Sequence, residues 1–389
     1  MAAGKETAAI AVAASGARLI VNPALDRERP YGADERAILS LAGAATAHAA
    51  IRAWDGYRPT PLHRLDTIAR DNGIGALLYK DEGKRFGLKS FKAMGGAYAV
   101  ERLVAARGAA EDLTVTCATD GNHGRAVAWG ARRLGVRAVI YVHETVSPGR
   151  VRAIESFGAE VRRVAGHYDD AVRASAAAAA ENGWTIVSDT SWPGYDLIPR
   201  DVMHGYAVLA LEAEAQGPAP SHIFVQGGVG GLAAGILSYH WEKVGAARPV
   251  TVVVEPDTAG CLFASAAAGG WTAVGGDLDT IMAGLACGEP SRLAWSLIGP
   301  GADAFVTIPD ARAADAMRLM ATQGVAAGES GVAGLAGFLS LAGDPAARAA
   351  LGLDAGSTVL CFGTEGATDP DIYRAIVGRD PEAVEGAAA

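Results

Sequence analysis

The chain has 389 residues, half of them hydrophobic, which suffices for a large buried core and for about two or three domains or two lobes. A formal net charge of −9 argues against a nucleic-acid partner, because proteins that bind nucleic acids present basic surfaces. Four cysteines give no secreted disulfide framework and no apolar run reaches the roughly 18 residues of a membrane span, so we expect a cytoplasmic protein with no membrane partner.

The predicted elements begin with a loose tail over residues 1–21 that leads into a first strand. We favour this over a signal peptide because Gly16 and Arg18 interrupt the apolar stretch. From residue 113 onward, short β-branched runs alternate with Ala-rich helical stretches, which predicts βαβ units and a mostly parallel sheet. The predicted strands span 113–119, 137–142, 159–164, 185–189, 221–226, 250–256 and 357–362, and the helices span 125–135, 148–158 and 169–183.

Lys92 lies in SFKAMGGAYAV, between Phe91 and a helix-like segment. A lysine at a helix start is partly desolvated and close to the positive end of the helix dipole, so we expect a depressed pKa for Lys92. A neutral amine in that position can form a Schiff base with an aldehyde. On spacing alone, an ordinary surface lysine near a helix is the favoured interpretation.

Two glycine-rich segments, GNHG at 121–124 and GGVGG at 227–231, each follow a predicted strand and precede a helix. Ligands of open α/β sheets bind at this edge, and backbone N–H groups there can hold anions, so the two segments predict one composite site. Asp120 is unexpected beside an anion loop, and acid–base chemistry would explain it. An Asx turn at Asp120 and a bare turn at GGVGG remain the plain alternatives.

Taken in order, six segments resemble the fold type II pyridoxal-phosphate (PLP) enzymes, the family of threonine dehydratase, serine racemase and the tryptophan synthase β chain. The resemblance implies an α/β fold of two open, twisted, mostly parallel sheets flanked by helices, with PLP in the interdomain cleft. Residues 1–93 plus 206–389 would form a large PLP-binding domain and residues 94–205 a small mobile domain, and the family is usually homodimeric. The segments are PTPL (59–62), KDEGKRFGLKSFKAMGGA (80–97), TDGNHG (119–124), GGVGG (227–231), GESGVAG (328–334) and FGTEGATD (362–369).

A closer resemblance is to the diaminopropionate ammonia-lyases, which share Asp-Gly-Asn at 120–122 where dehydratases have Ser-Gly-Asn. It implies a PLP-dependent α,β-elimination that converts D- or L-2,3-diaminopropionate and water to pyruvate and two ammonia. The segments that carry it are RFGLKSFKAMGGAYA (85–99), TDGNHGRAVAW (119–129), DTSWPGY (189–195), VEPDTAGC (254–261) and TIMAGLACGEP (280–290).

The resemblance also implies residue roles. Lys92 would bind PLP covalently and act as the base for the L isomer. We infer that Asp120 is the base for the D isomer and that Asp189 binds the β-ammonium of the substrate. Asn122 would contact the phenolic oxygen of PLP, Glu329 its ring edge and Thr364 its pyridine nitrogen. The implied cofactor-binding residues are Lys92, Phe91, Asn122, Gly227, Gly228, Val229, Gly230, Gly231, Glu329 and Thr364, and the implied substrate-binding residues are Thr119, Asp120, Gly121, His123, Asp189 and Tyr195.

Several alternatives stay open. A serine or threonine dehydratase would share every cofactor residue, although Asp120 argues against it. A PLP-binding regulator without turnover is a second alternative, which intact Lys92 and Asn122 argue against. Cys261 and Cys287 could form a disulfide near the site, but a reduced pair is equally compatible with a cytoplasmic protein. The sequence contains no HExxH, CxxC or GxSxG motif, so we expect no metal site.

Overall fold

A computed structural model describes residues 9–386 of the chain, in which the strands form two separate sheets. The strands are β1 (Ile10–Val12), β2 (Arg18–Val21), β3 (Leu62–Arg64), β4 (Ala76–Asp81), β5 (Thr114–Ala118), β6 (Arg137–His143), β7 (Glu160–Val164), β8 (Thr185–Ile186), β9 (His222–Gln226), β10 (Val250–Pro256), β11 (Ala304–Ile308) and β12 (Thr358–Gly363).

The helices cover both faces of the sheets. They are α1 (Ala33–Ile38), α2 (Leu41–Arg52), α3 (Asp66–Asp71), α4 (Lys92–Arg107), α5 (Asn122–Leu134), α6 (Pro148–Glu155), α7 (Tyr168–Asn182), α8 (Leu197–Gln216), α9 (Gly231–Val244), α10 (Cys261–Ala268), α11 (Arg292–Gly301), α12 (Asp310–Thr322), α13 (Ala333–Ala342), α14 (Pro345–Leu351), α15 (Pro370–Val377) and α16 (Pro381–Gly386). Short 3-10 helices span Glu82–Gly87, Gly245–Ala247 and Ala283–Leu285. Within residues 9–386, none of these helices is both long and apolar enough to cross a membrane.

The larger sheet has the strand order β1-β2-β11-β10-β9-β12-β4-β3, and its five central strands are parallel. The smaller sheet, β7-β6-β5-β8, is parallel throughout. Strands such as β9 and β10 are almost wholly buried, because helices cover both faces of a parallel sheet, and this explains their continuous apolar runs. The predicted α/β fold with two mostly parallel sheets is confirmed.

The strands of the smaller sheet all lie within the predicted small domain, 94–205. Both predicted boundaries, at 93/94 and 205/206, fall inside continuous helices, α4 and α8. The predicted first strand exists as a β1–β2 hairpin that pairs with β11, whereas residues 1–8 of the predicted tail lie outside the described residues.

A buried cluster of charges joins the segment before Lys92 to α8. Lys80 Nζ lies 2.8 Å from Glu212 Oε2, and Arg85 Nη2 lies 2.7 Å from Glu82 and 2.8 Å from Glu212. All four side chains are at most 1% exposed, and their two positive and two negative charges balance. Because a buried charge is costly without a partner, this cluster fixes the approach of the chain to Lys92.

An aromatic cluster lies where α5 contacts the segments before α4. The Phe86 and Trp129 rings are 4.9 Å apart, and Trp54 lies 5.7 Å from each of them. The Arg133 guanidinium covers Trp54 at 4.2 Å and Trp129 at 5.1 Å. The cluster therefore joins α5, which packs on the smaller sheet, to residues 54 and 86 before α4 by apolar and cation–π contacts.

Helix α4 packs tightly between α5 and α8 because glycines let the backbones touch. A Cβ added at Gly205 in α8 would lie 1.9 Å from the Met94 carbonyl oxygen. One added at Gly130 in α5 would lie 2.6 Å from the Ala97 Cα. These two contacts hold the first turns of α4, and thus Lys92, at a fixed distance from both neighbours.

We predict that Gly205→Ala lowers the free energy of unfolding by about 2 kcal/mol, because the added methyl forces two packed backbones apart. Urea denaturation measures the change. Gly343→Ala, at the end of α13, is the control, since no atom lies within 4 Å of its added carbon. Equal unfolding midpoints for the two variants would contradict the prediction.

Candidate active site

Lys92 and Asp189 form a largely buried ion pair. Lys92 is the first residue of α4, and Asp189 lies in the turn that follows β8. The Lys92 Nζ donates to Asp189 Oδ2 at 2.6 Å. Their side chains are only 19% and 15% exposed, so water screens the pair weakly.

This pair overturns the expected depressed pKa of Lys92. Burial lowers the pKa of Lys92, but the Asp189 carboxylate outweighs burial and holds that pKa above its ordinary value. Burial likewise opposes ionisation of Asp189, while the Lys92 ammonium holds the pKa of Asp189 below its usual range. The prediction was wrong because it considered the helix dipole and burial of Lys92 without a carboxylate in contact.

Two aromatic rings lie close to the Lys92 amine. Its Nζ lies 5.2 Å from the Phe91 ring centroid and 5.7 Å from that of Tyr206. The Tyr206 hydroxyl is buried and has no hydrogen-bond partner among residues 9–386. Sequence reasoning did not select Tyr206, because it lies in the largely apolar pattern of α8.

The turn after β5 carries Asp120. The Thr119 hydroxyl accepts hydrogen bonds from the N–H groups of Gly121 and Gly124, at 2.9 and 3.0 Å. These bonds close the turn, and Gly121 has φ +149°, a conformation that L side chains rarely adopt. The Asp120 Oδ1 lies 2.7 Å from His143 Nε2.

The next two residues of the turn contact other parts of the site. The Asn122 amide donates to Glu365, and its oxygen accepts from Arg125 at 3.1 Å. The His123 Nε2 lies 2.7 Å from the Val187 carbonyl oxygen, and its Nδ1 lies 3.8 Å from Asp189 Oδ2. His123 therefore places this turn next to Asp189, as the prediction of one composite site requires. The Asn122 amide, however, already donates a hydrogen bond to Glu365.

The GGVGG segment forms the turn between β9 and the first residue of α9. Gly228 and Gly230 have φ of +60° and +96°, which glycine adopts without strain. A Cβ on Gly231 would lie 3.6 Å from the Tyr206 ring and 3.8 Å from the Asp189 carbonyl oxygen. The first amides of α9 have no partner within the helix, and helix starts of this kind can bind anions, so a turn suited to an anion lies beside Asp189, the partner of Lys92.

Thr364 contacts Gln226, the residue that precedes this turn, and Glu329 is buried near Glu365. The Thr364 hydroxyl accepts from Gln226 Nε2 at 3.2 Å, and its carbonyl accepts from the Phe91 N–H at 3.0 Å. Burial, and then the nearby Glu365, raises the pKa of Glu329 to about 7. The Glu329 Oε2 has no partner among the described residues. Glu365 itself, which sequence reasoning missed, is buried and also accepts from the backbone of residue 330.

The two cysteines of the predicted disulfide are both free thiols that flank Gly228. The Cys261 Sγ donates to the Gly228 carbonyl at 3.5 Å, and the Cys287 Sγ would lie 3.8 Å from a Cβ on Gly228. Burial and the Asp189 charge raise the pKa of Cys287 to about 12. The structure therefore contains the reduced pair and no disulfide.

Tyr195 lies against the segment that leads to Asp189. Its hydroxyl donates to the Ile186 carbonyl at 2.8 Å and accepts from the Ser188 N–H at 2.9 Å. Its ring stacks on Trp192 with centroids 4.0 Å apart. Since the hydroxyl is committed to the backbone, Tyr195 holds the turn that carries Asp189, and a substrate contact would have to come from its ring.

Tyr168, the first residue of α7, was not selected from the sequence. Tyr168 as a whole is 41% exposed, but desolvation of its hydroxyl raises the pKa of Tyr168 well above the usual value, and the charges of Asp120 and Asp189 raise it further. The hydroxyl therefore lies within electrostatic range of both carboxylates. Its distance in sequence from any recognised motif explains why no pattern indicated it.

These residues fit PLP. The lysine amine can take an aldehyde, the glycine turn at a helix N-terminus can take a phosphate, and Thr364 offers a neutral hydroxyl. The unpartnered Tyr206 hydroxyl and Glu329 oxygen are buried polar atoms of the kind that a bound group satisfies. Both glycine turns lie near the Lys92–Asp189 pair, and this arrangement is consistent with the predicted PLP site.

Comparison with known proteins gives the same picture. The family model described as pyridoxal-phosphate dependent enzyme matches residues 53–364. The chain is 40% identical over 356 residues to a diaminopropionate ammonia-lyase of Escherichia coli strain K12, covering 85% of this chain and 89% of the relative.

Solved structures extend the similarity to the fold. The Escherichia coli diaminopropionate ammonia lyase in complex with an aminoacrylate-PLP azomethine reaction intermediate superposes with a TM-score of 0.87 at 37% identity, covering 94% of this chain and 98% of that one. A threonine deaminase isoform from Solanum lycopersicum superposes with a TM-score of 0.79 at 18% identity, covering 95% and 98% of the two chains, which shows a shared fold.

We predict that Asp189→Asn lowers the free energy of unfolding of the cofactor-free protein by about 3 kcal/mol at pH 7, because it leaves a buried ammonium unpaired. The folded pKa of Asp189 is depressed, so its contribution is complete above its unfolded value of about 3.9 and is lost in stronger acid. The folded pKa of Lys92 is raised, so its contribution is complete below about 10.4 and is lost at higher pH.

The stability difference between wild type and Asp189→Asn should therefore be constant from about pH 6 to 9 and shrink below about pH 4. Urea denaturation over this range measures it. A difference that stays the same in acid would contradict the assigned ion pair.

Proposed function

This chain belongs to the diaminopropionate ammonia-lyase family of pyridoxal-phosphate-dependent enzymes, and we propose that it converts D- and L-2,3-diaminopropionate to pyruvate and two ammonia. The observation that carries the proposal is the 2.6 Å contact between Lys92 and Asp189 beside the GGVGG turn. This arrangement brings together an amine that can bind the cofactor, a glycine turn that can bind its phosphate, and a buried carboxylate that can bind a second amino group.

We assign the cofactor contacts to this chain as follows. Lys92 would hold the PLP aldehyde, the turn from Gly227 to Gly231 its phosphate, and Thr364 its pyridine nitrogen. When bound, PLP supplies an acceptor for the electron pair left at the substrate Cα. A neutral Thr364 leaves the pyridine less protonated than an Asp would, which suits prompt loss of a β-leaving group. Phe91 and Glu329 would line the ring.

Asp189 supports an amino leaving group over a hydroxyl. In the structure its carboxylate binds an ammonium, that of Lys92, in a weakly hydrated setting. Once the Lys92 amine is engaged by the cofactor, Asp189 is left as a buried carboxylate that favours another cation. The β-ammonium of diaminopropionate provides that cation, and it departs as neutral ammonia. The hydroxyl of serine or threonine brings no charge to Asp189.

We propose two bases for the two isomers. Lys92 would remove the Cα proton of the L isomer from one face, and Asp120 that of the D isomer from the other. The Asp120 Oδ1 is bonded to His143, whereas Oδ2 accepts no hydrogen bond from residues 9–386 and is free to take a proton. A carboxylate is a far stronger base at pH 7 than the serine hydroxyl of the dehydratases.

We further propose that the protein is a cytoplasmic homodimer whose small domain, residues 94–205, moves when substrate binds. The continuous helices α4 and α8 would connect this domain to the rest, so their ends are where a hinge would lie. Light scattering of the purified enzyme measures the oligomeric state.

We predict that the PLP-loaded enzyme releases pyruvate from both isomers of diaminopropionate, with a kcat/KM at least about 100-fold above those for serine and threonine, because only diaminopropionate brings an ammonium to Asp189. A lactate dehydrogenase assay measures pyruvate, and 2-oxobutyrate from threonine. A preference for serine or threonine would favour a dehydratase. No turnover of any amino acid by PLP-loaded protein would favour a regulator.

We predict that Asp120→Asn lowers kcat on D-diaminopropionate about 100-fold and changes kcat on the L isomer less than about threefold, since removal of a general base costs this order of rate. Steady-state kinetics on each isomer measures it. Asp71→Asn, at an exposed position at the end of α3, is the control and should match wild type. Equal losses on both isomers would reject a D-selective role.

A further inference from the structure

His143 is the side chain that contacts Asp120 most closely, and the sequence analysis did not select it. It is the last residue of β6, which pairs in parallel with β5, the strand that leads to Asp120. The carboxyl ends of these neighbouring strands therefore lie side by side, which brings His143 Nε2 to 2.7 Å from Asp120 Oδ1. The His143 side chain is 14% exposed and that of Asp120 is 35% exposed.

The hydrogen bonds on both ring nitrogens fix the position of the Nε2 proton of His143. An ionised carboxylate only accepts hydrogen bonds, so His143 Nε2 must carry a proton and donate it to Asp120. The Nδ1 lies 2.9 Å from the Thr145 hydroxyl, which can donate to it. The ring is therefore held at both ends, and its orientation is fixed relative to Asp120.

This arrangement fixes the direction of the Asp120 carboxylate. Its Oδ1 is occupied by His143, and the Arg150 guanidinium donates to its backbone carbonyl at 3.4 Å. Tyr168 and Cys287 are also within electrostatic range of Asp120, whose charge raises their pKa values. Without the bond from His143, rotation of the carboxylate about its side-chain torsions would have no hydrogen bond to restrain it.

We propose that His143 is a positioning residue that aims the free oxygen of Asp120 and thereby sets the activity toward the D isomer. The inference rests on the proposed role of Asp120 as the base for that isomer and adds a residue with no part in the L reaction. Lys92, the proposed base for the L isomer, makes its contacts with Asp189, Phe91 and Tyr206 and none with His143 within the described residues.

The experiment compares His143→Leu with His143→Gln in the PLP-loaded enzyme. Leu removes the donor, and kcat on the D isomer should fall about tenfold while kcat on the L isomer changes less than about twofold. Gln restores an N–H donor near the Nε2 position, so kcat on the D isomer should stay within about threefold of wild type. His63→Leu is the matched control, because His63 also contacts a carboxylate, Asp81 at 3.4 Å, and should leave the D-to-L ratio unchanged.

A second readout does not depend on turnover. In enzyme labelled with ¹⁵N-histidine, the Nε2 proton of His143 should give a low-field resonance that is absent from His143→Gln. In Asp120→Asn this resonance should move upfield, because an amide oxygen accepts a weaker hydrogen bond than a carboxylate does. Thr145→Val, at an exposed position, tests the same bond if the Leu variant fails to fold, and it should lower the D-to-L ratio of kcat about threefold.

The inference is overturned if His143→Leu, or Thr145→Val in its place, lowers turnover of both isomers equally or of neither. It is also overturned if the Asp120→Asn change leaves the His143 resonance in place. These outcomes are separable from failure of the proposed function. A D-selective loss in Asp120→Asn with no such loss in the His143 variants rejects only the role of His143, whereas absence of pyruvate from wild-type enzyme rejects the reaction itself.

Discussion

The close approach of three helices is the constraint on which the site depends. Helix α4 begins with the lysine of the cleft and runs between α5 and α8, and it can do so only because glycines replace side chains at the contacts. At Gly205 even a methyl group would collide with the backbone of α4. Close packing of this kind is intolerant of displacement, so these backbone contacts hold the start of α4, together with the buried charge cluster in the segment that precedes it.

Around this amine, three carboxylates of the site each contact a polar or charged side chain from another element. Asp189 contacts Lys92, Asp120 contacts His143, and Glu365 contacts Asn122. The first pair joins the turn after β8 to the start of α4, and the second joins the turn after β5 to the end of β6. The third joins the start of α5 to the segment after β12. Because the members come from different elements, the charge pattern of the cleft depends on how the two lobes are placed relative to each other.

Much of this organisation was predictable from the sequence. Alternating apolar runs and helical stretches predicted the parallel sheets, because burial on both faces leaves an unbroken hydrophobic pattern. The strand β8 is shorter than predicted, since the backbone at 186–188 bonds to the Tyr195 hydroxyl and turns out of the sheet. The strands β4 and β11 were not predicted. β4 ends in charged residues, which argues against a buried strand, but Lys80 is paired with Glu212 within the core. Local patterns do not reveal such pairing.

The single residues of the site were predictable only where they lie in a motif. Lys92, the glycine turns and Asp120 were selected in this way. Tyr206, Glu365, Tyr168 and His143 were not, because their importance comes from tertiary neighbours distant in sequence. The pKa of Lys92 shows the same limit, since its direction is decided by a carboxylate 97 residues away along the chain.

The aromatic cluster of Trp54, Phe86 and Trp129 has a mechanical consequence. It joins α5 to the larger lobe about two turns of helix from the loop that carries Asp120. If the smaller sheet and its helices rotated as a rigid body while these ring contacts were preserved, the rotation axis would pass near the cluster. The indole of Trp129 would then stay nearly in place, and the Asp120 loop would be displaced further. Such a rotation would open the site at the carboxyl ends of the strands, with the aromatic cluster as the hinge point.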